Sequence, residues 1–164
     1  MAKSTNGARF PHSLWERLTE PSLLSGDALA TSSASRLDRL RKEVLSHLEW
    51  LLNSRCCVGE AIEGSEVLRA SIVGYGLPDL SALWTGDPRD RERLERTLED
   101  VIRRFEPRLK DVRVEFNPAG KDQSRSMLHY RVSAVIKVKP IAQPIEFDTV
   151  LELGSKAFLV RGAE

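Results

Sequence analysis

The chain has 164 residues, of which 41% are hydrophobic and 30% charged, with 25 Lys+Arg against 24 Asp+Glu. Length and composition predict one ordinary globular domain. A formal net charge of +1 argues against nucleic acid as the main partner, because phosphate neutralisation dominates affinity there.

The two cysteines, Cys56 and Cys57, are adjacent. They provide neither a disulfide framework nor a CxxC metal spacing, and a reducing cytosol is the simplest compartment. The N-terminus has no apolar segment typical of a secretory signal. No apolar run approaches the roughly 20 residues that span a bilayer.

Residues 1 to 9 read as a disordered tail. From Phe10 to Pro21, prolines bracket a short helical turn with Leu14, Trp15 and Leu18 on one face. Such a helix is too short to be stable alone. It docks either on this domain or in the groove of a partner. Residues 22 to 35 are rich in Ser, Ala, Leu, Gly and Thr and read as a flexible linker. The expected organisation is tail, docking helix and linker over 1–35 and an α+β domain over 36–164.

Ser35-Arg36-Leu37-Asp38 resembles a capping box, with Asp in place of Glu or Gln. Leu37, Leu40, Val44, Leu48 and Leu51 or Leu52 then form the apolar stripe of a helix ending near Asn53. His47 and Trp50 lie off the centre of that stripe, and His47 reads as structural or solvated. A Gly-containing loop follows over 54–64, and Ser65 to Val73 has the pattern of a short helix. Gly74-Tyr75-Gly76-Leu77-Pro78-Asp79-Leu80 comes next. Its two glycines predict a positive φ or a close backbone approach.

The central helix has the clearest start and stop. Asp87 is a good N-cap and Pro88 suits the first helical position. Leu94, Leu98, Val101 or Ile102, and Phe105 recur at steps of three and four. Glu92–Arg96 and Glu99–Arg103 are spaced for ion pairs, and Pro107 ends the helix. Glu106 is out of place, because a carboxylate is disfavoured at the negative end of a helix. Either it is solvated, or Arg104, Arg108 or a partner's cation compensates it.

After Pro107 the period becomes two. Val112, Val114 and Phe116 alternate with charged residues, and Asn117-Pro118-Ala119-Gly120 reads as a turn. Leu128 to Val138, then Ile145 to Leu153, then Ala157 to Arg161 supply three more strands. The prediction is α+β, with N-terminal helices packed on a C-terminal antiparallel sheet of about four strands. The last strand, with Phe158 and Val160, either accepts a strand from another chain or is protected by its brevity and Arg161.

No catalytic, cofactor-binding or metal residue emerges. His12, His47 and His129 are far apart in sequence, with no HExxH, GxSxG or Walker A pattern. Glu106, flanked by Arg104 and Arg108, sits in the wrong surroundings for a general acid.

Five blocks, in order between about residues 10 and 155, carry a family resemblance. They are Ser13-Leu14-Trp15-Glu16-Arg17-Leu18, Leu48 to Arg55, Val73 to Leu80, Ile102 to Leu109, and Phe147-Asp148-Thr149-Val150-Leu151. The chain resembles the TssE family of type VI secretion baseplate subunits, akin to the baseplate wedge protein of contractile-tail phages. The double cysteine and the Ser/Ala linker have no counterpart in that pattern. The resemblance implies a non-enzymatic scaffold without cofactor, cytoplasmic and associated with a baseplate at the inner membrane. It implies TssF and TssG wedge subunits, TssK, and the sheath proteins TssB and TssC as partners, with a role in nucleating the sheath. Glu106, Pro107 and Arg108 are then the assembly signature, and Arg108→Ala should fold but lose its partner. Leu14, Trp15 and Leu18, with Phe158 and Val160, complete the expected partner-binding residues. A historical lysozyme label in the phage branch supplies the alternative, a peptidoglycan-cleaving enzyme.

Overall fold

The computed structural model describes residues 18, 33–56, 62, 64–80, 87–118, 127–138 and 141–162. Leu14, Trp15, most of the expected linker, Cys57, Trp84, Ala119 and Gly120 lie outside them. Leu18 is helical and 68% exposed. Among the described residues no helix is long and apolar enough to cross a membrane.

Helix α1 spans Ser33–Asn53. It begins two residues before the expected Ser35 cap, so residues 33–35 belong to the helix and not to the linker. Nothing in Ser-Ala-Ser breaks a helix, and Ala is the best helix former. Val44, Leu48, Leu51 and Leu52 are its buried face. Helix α2, Glu66–Arg69, is capped by Ser65, and a 3-10 turn follows over Ile72–Gly74. Helix α3, Pro88–Phe105, forms as expected, with the Asp87 carboxylate accepting from the Arg89 N–H. Both anticipated ion pairs are present, Glu92–Arg96 at 3.5 Å and Glu99–Arg103 at 2.8 Å. Leu94, Leu98, Val101 and Ile102 are buried, each contributing about 1.5–3 kcal/mol.

Strands β1 (Leu109–Phe116), β2 (Met127–Val138), β3 (Ile141–Glu152) and β4 (Phe158–Gly162) form an antiparallel meander in sequence order. Strand β4 starts one residue later than expected. Helix α3 lies over β1 and α1 over β4, so both cover one face. Tyr130, Val132, Ala134, Ile136, Ile145, Phe147, Leu151 and Phe158 fill the space between. Strand β1 bulges: Lys110 pairs with Val135, but Arg113 pairs with Ser133. Asp111 takes a positive φ of 54° there. The extra residue resets the alternation, so Leu109 and Val112 are both buried.

The two sheet edges differ. On β1 three outward backbone groups are bonded by side chains of α3. The Val114 N–H donates to Glu99 Oε1 at 2.9 Å, and the Phe116 N–H donates to Glu95 Oε1 at 2.7 Å. Arg103 Nη2 donates to the Val112 carbonyl at 2.6 Å. The match is geometric, because four helical residues advance about 6 Å and two strand residues about 6.6–6.8 Å. On β4 the Asn53 side chain accepts from the Phe158 N–H and donates to its carbonyl, both at 2.9 Å. By antiparallel alternation, Val160 and Gly162 aim their backbone groups the same way as Phe158. Among the described residues nothing pairs with them. Pro144 on β3 faces that side too, where its missing N–H breaks no ladder bond.

Tyr130 provides a pH test of this core. Its hydroxyl is buried and has no hydrogen-bond partner among the described residues. Burial, then the Glu95 charge, push its ionisation far above the usual phenol range, against a smaller pull from Arg91. A phenol whose folded pKa exceeds its unfolded value of about 10 holds its proton better when folded. Stability is therefore intact below about pH 10 and falls as pH rises further. Tyr130→Phe should stay within about 1 kcal/mol of wild type at pH 7 and lose less stability above pH 10. Denaturant midpoints at pH 7 and pH 11 check this, and an unchanged alkaline loss would count against it.

Candidate functional site

Three segments distant in sequence meet at one corner. They are the second half of α1, the Gly-Tyr-Gly turn, and the junction of α3 with β1. These hold three of the five resemblance blocks.

The turn is held against the end of α1 by backbone. The Leu77 N–H donates to the Ser54 carbonyl at 2.9 Å, and the Cys56 N–H to the Leu77 carbonyl at 3.0 Å. Both glycine expectations hold. Gly76 has φ 106°, and a Cβ there would lie 2.6 Å from the Ser54 carbonyl group. A Cβ on Gly74 would lie 2.2 Å from the Arg69 carbonyl oxygen. The turn presents Tyr75 edge-on to Phe105, with ring centroids 5.2 Å apart.

Glu106 is not solvated. It is 4% exposed, and Arg108 compensates it. Arg108 Nε donates to Glu106 Oε1 and Nη2 to Oε2, both at 2.7 Å. This two-pronged pairing is the strong form of a charge-assisted bond. Arg108 Nη1 also donates to Glu43 Oε1 at 2.7 Å, and Nη2 meets His47 Nδ1 at 2.7 Å. Arginine has no acceptor, so His47 Nδ1 accepts. The same nitrogen lies 3.8 Å from Glu106 Oε2. The His47 ring stacks on Trp50, centroids 5.6 Å apart.

The corner is anchored as well as paired. The Glu106 N–H closes the last turn of α3 on the Ile102 carbonyl, and the Arg108 carbonyl accepts from the Lys137 N–H of β2. Burial lowers the Arg108 pKa, but the bonds and charges of Glu106, then Glu43, outweigh it and hold the group above its usual value. Burial, then the Glu106 charge, raise the Tyr75 phenol. Both Glu106 oxygens accept from Arg108. Among the described residues no three His, Cys, Asp or Glu side chains form a metal-holding group.

The other expected residues are placed differently. Pro107 is exposed at the tip of the corner. Phe158 points into the core at 1% exposure, so its side chain is not offered to a partner. Inner-face alternation in β4 buries it, and only the backbone edge beyond it is open. Val160 is partly buried against that core. Glu43, His47, Trp50 and Tyr75 were not among the expected site residues. The available signal is their spacing: 43, 47 and 50 stand at i, i+4 and i+7, one side of a helix.

Beside the pair is a cleft of ≈ 210 Å³, walled by His47, Trp50, Tyr75, Phe105 and Glu106 with leucines of α1. Trp50 is 46% exposed. The family model described as baseplate wedge protein gp25 matches residues 38–141, which include the whole corner. No curated protein matches the chain.

Proposed function

The chain belongs to the family of baseplate wedge protein gp25, whose role is structural, and from that premise we propose that it serves a type VI secretion baseplate. In this reading it is a non-enzymatic adaptor. It binds the TssF–TssG wedge through the exposed side of the Glu106–Pro107–Arg108 corner and contacts TssK. It helps nucleate the TssB–TssC sheath through the open edge of β4. It sits in the cytoplasm, at a baseplate docked on the inner membrane. Leu14, Trp15 and Leu18 add a further contact.

The observation that carries this reading is the asymmetry of the sheet. One edge is sealed by three side chains of α3, while Val160 and Gly162 leave the other edge available for an added strand. Glu106 serves indirectly, by fixing the Arg108 guanidinium between two elements. Pro107 is the exposed part of the corner.

Two variants separate the two contacts. Val160→Pro removes an outward N–H that no described residue uses, so the fold should survive. That variant is expected to bind TssF–TssG normally but to abolish nucleation of TssB–TssC sheath, scored by electron microscopy. Pro107→Asp is expected to weaken wedge binding at least about tenfold in co-purification, the scale of a lost interface contact. Folded wild type that fails to bind co-expressed TssF–TssG would overturn the adaptor reading.

A further inference from the structure

Carboxylates outnumber guanidiniums at the corner. Glu43 and Glu106 are two carboxylates whose side chains are 10% and 5% exposed. One guanidinium serves both. His47 Nδ1 faces the same guanidinium at 2.7 Å. Two carboxylates therefore share one guanidinium in a largely desolvated place, where an under-compensated charge is costly. The adjoining cleft is lined by four aromatic residues, His47, Trp50, Tyr75 and Phe105, together with Glu106, Leu48 and Leu51. Aromatic faces beside a carboxylate attract a cation. A cleft of ≈ 210 Å³ is smaller than the roughly 300–1,000 Å³ of small-molecule pockets. It suits one side chain.

We propose that the cleft receives a single arginine side chain from the subunit that docks on this corner. The planar guanidinium stacks on the Trp50–His47 pair, and its charge completes a balanced cluster of two carboxylates and two guanidiniums. Arginine suits the cleft better than lysine, because a guanidinium stacks on rings and is more weakly hydrated. This rests on the reading of the corner as a wedge contact and specifies what that contact inserts.

The test uses the full chain labelled with 15N-tryptophan and titrated at low salt with N-acetyl-arginine amide. N-acetyl-citrulline amide is the neutral isostere. The Trp50 indole signal, assigned by its loss in Trp50→Phe, should shift and saturate with the arginine probe. It should respond about tenfold more weakly to citrulline. No shift, or an equal response to both probes, overturns the proposal. In the second arm Trp50→Ala, a change at a half-exposed position, is co-expressed with TssF–TssG. Binding about tenfold weaker than wild type supports the inserted arginine. Wild-type binding by Trp50→Ala overturns it and leaves the adaptor reading intact. A folded wild-type chain that forms no complex removes the adaptor reading, and this proposal with it.

Discussion

Arg108→Ala is expected to destabilise the protein by about 3–5 kcal/mol, the usual cost of removing one partner from a buried ion pair. The change leaves Glu106 and Glu43 facing each other without a cation, and it strips His47 Nδ1 of its donor. For a domain of this size the melting temperature should fall by about 6–20 °C. This changes the expectation from sequence, in which the variant kept its fold and lost only its partner. Arg108→Lys keeps the charge but not the fork, and should recover only part of the loss. Adding Glu43→Gln to Arg108→Ala should recover stability, because it removes one of the stranded charges. Thermal unfolding followed by circular dichroism reads all three variants. A melting shift below about 2 °C for Arg108→Ala would show the cluster to be solvated. Partner-binding losses in this variant are therefore to be judged only after its folded fraction is known.

Gly76→Ala should cost about as much, roughly 3–5 kcal/mol, for a backbone reason. The φ of 106° alone costs about 1–3 kcal/mol for a residue with a Cβ. The new Cβ would also sit 2.6 Å from backbone atoms of Ser54, which cannot rotate away. Relief requires moving the turn off the end of α1, breaking the Ser54–Leu77 and Cys56–Leu77 hydrogen bonds at about 1 kcal/mol each. Tyr75 would move with it, so the cleft loses a wall in the same step. The urea midpoint is the measurement, with an unchanged slope expected. A midpoint equal to wild type would mean that the turn relaxes freely and does not hold Tyr75 in place.

Much of the fold was legible because its signals are local. Asp87, Pro88 and Pro107 mark the ends of α3 through capping and backbone sterics within a few residues. Steps of three and four found the buried faces of α1 and α3, and steps of two found the strands. The glycines around Tyr75 correctly announced a backbone constraint. Glu106 was recognisable as misplaced, because its conflict with the helix end is itself local. The exact start of α1 was not, since Ser33 and Ala34 fit a linker as well as a first helical turn.

What only the tertiary structure decided involves distances that sequence does not carry. Arg108 meets Glu43 and His47 across 65 and 61 residues, and no short-range rule selects those partners among 24 acids and three histidines. The bulge at Asp111 buries Leu109, which simple alternation placed out of phase. The sealing of β1 by Glu95, Glu99 and Arg103 makes one edge closed and leaves β4 the open one. On sequence Glu99 and Arg103 read only as an ion pair along the helix. The physical reason is common to all of these. Propensity and period act within a few residues of chain, whereas desolvation is settled only when the folded chain brings buried groups together and each must find a partner.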